Sequence, residues 1–167
     1  MQRYLNKKVV PPDICENIIS IYSDKLSNID LSYRRNKVYH ETNSSSWIFN
    51  YIDNLIKENF GDEYKLLQRV TILKYESGDF FHKHTDGDWN SNLTKNLPHH
   101  FYCGIELSKE NDFNGGKFEV DGVQLEFKQG RIFTHSYNEP HEVTMVKDGV
   151  RWSIHFLVQL KTESNII

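Results

Sequence analysis

"GKFEVDGVQLEFKQGRIFTHSYNEPHEVTMVKDGVRWSIHFLVQL", residues Gly116 to Leu160, is a series of short runs rich in β-branched and aromatic residues. The runs are "GKFEV", "VQLEF", "RIFTHS", "HEVTMV" and "RWSIHFLVQL", and the breaks between them include "DG", "QGR" and "KDG". Short runs of this composition between Gly-containing breaks are a strand signature, and no helical spacing intervenes. Upstream, "LLQRVTILKY", "DFFHKHTD" and "FYCGIEL" extend the series back to about residue 66. A run of about eight strands predicts a β-sandwich or jelly roll.

Before Glu63 the pattern changes. "VVPPDICENIISIYSDKL" predicts a short strand, a Pro-Pro break and a helix capped by Asp13, with Ile14, Ile18, Ile21 and Tyr22 on helical spacing. A second helix is predicted over about 46–59. It has Phe49, Ile52, Leu55 and Ile56 as its apolar stripe, serines to cap it and Gly61 to stop it. The expected class is α+β: a double-stranded β-helix (jelly-roll) core of about eight strands over about 66–160, with two packing helices within about 12–60. All 167 residues read as a single domain.

A net charge of −3 gives no global basic field, which disfavours nucleic acid as a partner. No apolar run reaches membrane-spanning length, and the first residues lack a signal-peptide core. Cys15 and Cys103 are too few for a disulfide framework. A soluble, reducing, cytoplasmic setting is expected.

Candidate chemistry lies in "YESGDFFHKHTDGDWN", Tyr75 to Asn90. On a strand, His82, His84 and Asp86 share a face, so either His84 with Asp86 or His82 with His84 can begin a metal site. Alone, an H-x-D pair is weak, because eight His and eleven Asp in this length give roughly 0.5 such matches by chance. His141 opens the run after Pro140, and Arg151 follows across the "KDG" turn. A hairpin there would set these two residues on neighbouring antiparallel strands. Two histidines and a carboxylate form the facial triad of non-haem Fe(II) oxygenases, which leaves metal positions open. Arg151, Ser153 and His155 alternate onto one face, so R-x-S can cradle a carboxylate. His155 reads equally as cavity lining or as a core residue. His135 is expected near the site or at the surface. The polar segment 87–100 is expected to be a loop that acts as a lid.

These pieces, in this order, resemble the Fe(II)- and 2-oxoglutarate-dependent dioxygenases, in the branch containing prolyl 4-hydroxylases. The series is Tyr75, Gly78, Phe80 or Phe81, His84 and Asp86, then "FNGGKFEV", "QGRIFTHS" and "HEVTMVKDGVRWSIHF", over about 69–160. The resemblance implies iron ligands His84, Asp86 and His141. It implies Arg151 and Ser153 for the distal carboxylate of 2-oxoglutarate, and Tyr75, with Tyr102, for further cosubstrate contacts. Lys117 stands where the family usually has Glu or Thr after its Gly-Gly turn. Fe(II), 2-oxoglutarate, O2 and ascorbate as reductant are the implied cofactors. The implied substrate is a protein or peptide proline, with a free amino acid or other small molecule as the alternative. Two other readings stand beside it: a cupin-type metal protein using His82, His84 and Asp88, and a jelly roll that binds without turnover.

Overall fold

The computed structural model describes residues 3–5, 7–86 and 100–161. In chain order the elements are β1 (Tyr4–Leu5), α1 (Pro12–Tyr22), β2 (Ser27–Leu31), β3 (Arg34–Glu41), α2 (Trp47–Phe60), β4 (Tyr64–Tyr75) and β5 (Phe80–His84). They continue as β6 (His100–Glu106), β7 (Phe113–Gly115), β8 (Phe118–Val120), β9 (Val123–Gln124), β10 (Ile132–His135), β11 (His141–Val143), β12 (Val146–Gly149) and β13 (Arg151–Leu160).

The pairing is antiparallel throughout, in the order β1-β10-β6-β13-β4-β3-β5-β11-β8-β9, with β2 on β3 and a separate β7–β12 pair. This sheet curls into a jelly roll. Its period-2 alternation separates two cores. Val70, Ile72, Ile154, Phe156 and Val158 face outward and pack against Ile18 of α1 and Ile48, Ile52 and Ile56 of α2. Leu73 and Tyr75 face inward with Phe118, Val120, Phe133 and Val143 from the opposing strands. With both faces covered, β13 is buried along nearly its whole length, its polar residues Arg151, Ser153 and Gln159 included.

Helix α2 forms as its sequence predicts. The Ser46 hydroxyl accepts from the Phe49 N–H, and Gly61 ends the helix with φ 111°, a conformation that suits glycine. Helix α1 differs, because it starts at Pro12 with no side-chain cap, and Asp13 lies inside its first turn. Proline suits that position because its missing N–H would be unpaired there anyway. Val9 and Val10 form no strand; the first strand is Tyr4–Leu5. Between the helices lies a hairpin, β2–β3, that the sequence reading missed. Its polar, charged alternation "SNIDL…RRNKVYHE" hides a strand with one solvated face.

The expected lid lies outside the described residues except for His100, which is buried in β6 and belongs to no loop. Among the described residues, no helix is long and apolar enough to cross a membrane.

Candidate active site

His84 ends β5 and His141 opens β11, and the two residues are register partners. Two residues later on β11, Val143 lies opposite Phe81, three residues back on β5. One extra residue on β5 is a β-bulge, and a bulge re-aims side chains. It overturns the simple alternation expected here. Phe81, and not His82, shares the face of His84, and their rings stack at 3.7 Å between centroids. His82 is exposed and turned against Phe80. The H-x-H pairing of the cupin reading is therefore absent from the metal-competent cluster among the described residues.

That cluster is His84, Asp86 and His141, whose ligating atoms all lie within 4.8 Å of one another. Asp86 bridges the pair, with one oxygen 3.9 Å from His84 Nε2 and the other 3.6 Å from His141 Nε2. Two ligands each about 2.1 Å from a common ion stand about 3–4 Å apart, so the three residues fit a small divalent cation. The histidine orientations support this. Nδ1 of His84 lies 2.7 Å from the His82 carbonyl, and Nδ1 of His141 lies 3.0 Å from the Glu139 carbonyl. A carbonyl only accepts, so each Nδ1 carries the proton and each Nε2 presents a lone pair to the cluster. The Glu139 side chain is itself held by a two-pronged ion pair with Arg3, at 2.8 and 3.1 Å, which ties the residue before β1 to the turn that leads into His141. Burial pushes the Asp86 carboxyl above its ordinary range, and His141 and Arg34 oppose that push; a bound cation would hold it ionised.

The cluster sits on a cavity of about 150 Å³ that Tyr75, Tyr102 and His155 also line. Tyr102 stacks on His135, whose ring lies 4.3 Å from that of His141. His135 is fully buried and not a surface residue, and burial drives its imidazole down to about 3. Tyr75 is buried, with its phenol pushed up by desolvation.

Arg151 and Ser153 lie deeper. The hairpin expected across "KDG" does not form, because β12 pairs with β7 while β13 pairs with β4 and β6. His141 and Arg151 therefore stand on different, unpaired strands. Gly116 makes room for Arg151: a Cβ there would come within 3.3 Å of its Cδ and 2.8 Å of Val146. The R-x-S cradle does form, with Arg151 Nη1 donating to Ser153 Oγ at 3.4 Å, but it already holds a carboxylate. Glu106 of β6 accepts from Arg151 Nη2 with both oxygens at 3.1 Å, and the pair is almost wholly buried. Arg151 Nε is buried with no hydrogen-bond partner among the described residues. Glu106 was missed in the sequence, although a lone acid in the apolar run "FYCGIEL" is a signal, since a buried charge requires a partner.

A family model, the 2OG-Fe(II) oxygenase superfamily, matches residues 70–159. The chain belongs to this superfamily. It is a 2-oxoglutarate-dependent dioxygenase. The match includes His84, Asp86, His141 and Arg151. Among solved structures, a prolyl-4-hydroxylase from Pseudomonas putida aligns with a TM-score of 0.66 at 15% identity, covering 95% of this chain and 94% of that one. The viral collagen prolyl hydroxylase of Paramecium bursaria Chlorella virus-1, in complex with 2-oxoglutarate, gives 0.69 at 15%, covering 95% and 98%. HygX from Streptomyces hygroscopicus, with nickel and 2-oxoglutarate bound, gives 0.66 at 14%, covering 93% and 82%. No curated protein sequence matches the chain.

Proposed function

We propose that this dioxygenase hydroxylates a proline in a peptide or protein, using His84, Asp86 and His141 as its iron ligands. We take the whole of 1–167 to act as one domain. The convergence of the three side chains on one cavity carries this reading. Prolyl hydroxylases among the structures of similar fold support the substrate class. A free amino acid or other small molecule is the second candidate.

Bound Fe(II), with 2-oxoglutarate and O2 as co-reactants and ascorbate as a reductant, would supply oxidative decarboxylation coupled to hydroxylation. The chain's own residues prepare for it. Both Nε2 lone pairs are fixed toward the cluster before metal arrives, because the Nδ1 protons are held on backbone carbonyls. Asp86 brings the compensating charge. Arg151 retains donors for an incoming carboxylate, because Nε has no hydrogen-bond partner among the described residues and the Nη1 bond to Ser153 is long. The Tyr75 hydroxyl can donate beside it. Phe81, Phe118 and Val143 wall the cavity with apolar surface and keep water from the reacting centre.

Anaerobic titration of Fe(II) and 2-oxoglutarate into the metal-free protein tests the assignment. A weak visible charge-transfer band is expected in the wild type and should be absent in Asp86→Ala. Aerobic incubation with proline peptides should then add the mass of one oxygen. Iron bound without the band would refute the cosubstrate site.

A further inference from the structure

The metal cluster faces a second group of side chains that its chemistry does not use. Arg34 opens β3 and lines the same cavity. Its guanidinium lies 4.4 Å from the centre of the Phe81 ring, which stacks on His84. One nitrogen, Nε, donates to the Oδ1 of buried Asn36 at 2.9 Å, which fixes the fork. Its two terminal nitrogens have no hydrogen-bond or ion-pair partner among the described residues. A guanidinium held at one nitrogen with two donors left over is the geometry that takes a carboxylate by two parallel bonds.

Arg69 extends this character to the rim. Strand β4 is bulged against β13: Phe156 lies opposite Val70 and Leu157 opposite Leu67, so Gln68 and Arg69 are extra. Gln68 adopts φ 64°, a left-handed conformation unfavourable for a side-chain-bearing residue. This irregularity places Gln68 and Arg69 on the lining of the cavity. Of the carboxylates on that lining, Asp86 belongs to the metal cluster, and Glu142 is paired with Lys83 at 3.8 Å. His40, also on the lining, is pushed toward its neutral form by burial and by the two arginines. Deeper in, Arg151 is charge-balanced by Glu106. Among the described residues, the uncompensated charge on the cavity wall is therefore positive, and it lies beside the metal cluster.

We propose that the substrate of this oxygenase bears a carboxylate, which docks on Arg34 with Arg69 at the rim of the cavity. The proposal rests on the reading of His84, Asp86 and His141 as the oxygenase centre. The carboxylate can belong to a free acid or to an acidic residue beside the reacting one in a peptide.

The test uses the wild-type protein loaded anaerobically with Fe(II) and 2-oxoglutarate, and two acid/amide pairs of probes. N-acetylproline is compared with N-acetylprolinamide, and acetyl-Pro-Asp-amide with acetyl-Pro-Asn-amide, by perturbation of the charge-transfer band. In at least one pair the acid should bind about tenfold tighter or more. Preference in the first pair identifies a free acid, and preference in the second an acidic peptide. Arg34→Gln should abolish the preference in protein that still forms the charge-transfer band with Fe(II) and 2-oxoglutarate. Arg34→Lys should keep part of the preference, and Arg69→Gln should lower it less. Equal binding of acid and amide in both pairs would overturn the proposal. So would an Arg34→Gln protein whose loss falls on 2-oxoglutarate, which would make Arg34 a cosubstrate residue. If the wild type never forms the band, the oxygenase assignment itself fails, and this proposal fails with it.

Discussion

Replacing Glu106 with Gln removes one charge from a pair that has no solvent to fall back on. The Arg151 side chain is 0% exposed and that of Glu106 4%. Solvent screening therefore gives no relief. Breaking a buried pair by removing one partner costs about 3–5 kcal/mol, because the remaining charge is left without compensation. Gln still offers an oxygen to Arg151 Nη2, so the lower end applies, about 3 kcal/mol. For a chain of this size each kcal/mol moves the midpoint by about 2–4 °C, so metal-free Glu106→Gln should melt about 6–12 °C below wild type. Cosubstrate should then narrow the gap. In the wild type an incoming distal carboxylate joins an arginine that is already neutralised, whereas in the variant it restores the missing anion. With Fe(II) and 2-oxoglutarate, under anaerobic conditions, the variant should recover most of its deficit and bind 2-oxoglutarate more tightly than wild type does. Scanning calorimetry with and without ligands measures both effects. A metal-free variant melting within about 2 °C of wild type would refute the energetic argument. Weaker 2-oxoglutarate binding would refute the placement of the distal carboxylate at Arg151.

His135 and His155 are buried, and burial lowers both imidazoles, that of His135 to about 3. The unfolded chain takes up their protons below about pH 6.5 and the folded chain does not, so acid favours unfolding from about 6.5 downward. The metal-free protein should lose about 1–2 kcal/mol per histidine between pH 6.5 and 5, before most carboxylates titrate, and His135→Leu should shrink that loss. Urea midpoints at the two pH values check it, and a flat profile would contradict the burial of neutral imidazoles. Gly104→Ala places a Cβ 1.9 Å from the Phe133 ring, which is itself packed against Phe118 and His155. Overpacking of this kind costs about 1–3 kcal/mol and should lower the urea midpoint; an unchanged midpoint would show that the ring can move aside.

Most strands of the second half and the helix α2 were readable from pattern and capping. His84, Asp86, His141 and Arg151 were singled out together only through the ordered motif of the family resemblance, local spacing leaving His82 open as the partner of His84. These features depend on local alternation, on capping chemistry and on an ordered motif. Features set by long-range pairing were not readable. The bulge that separates His82 from His84 exists only because β5 pairs with β11. The "KDG" segment reads as a hairpin, yet β12 pairs with β7 and the chain crosses to the other half of the roll. Arg34 and Arg69 lie on strands with one solvated face, where arginine is the ordinary surface choice, so nothing local marks them as cavity residues. Glu106 is the intermediate case, because its need for a partner was visible while the partner's identity was not.

The central strand of the roll is also the last of those described. β13 joins β4 to β6 along ten residues, so until Leu160 has been made those two strands each present an unsatisfied row of backbone groups. At about 5–20 residues per second, the nascent chain carries open edges for several seconds after β6 appears. Sheet closure must therefore wait for β13, and the metal cluster can mature only after that. The most vulnerable period for this protein is its own production, when unpaired edges invite association with neighbouring chains. A lower expression level should therefore raise the soluble yield, because it dilutes the nascent chains whose edges are still open.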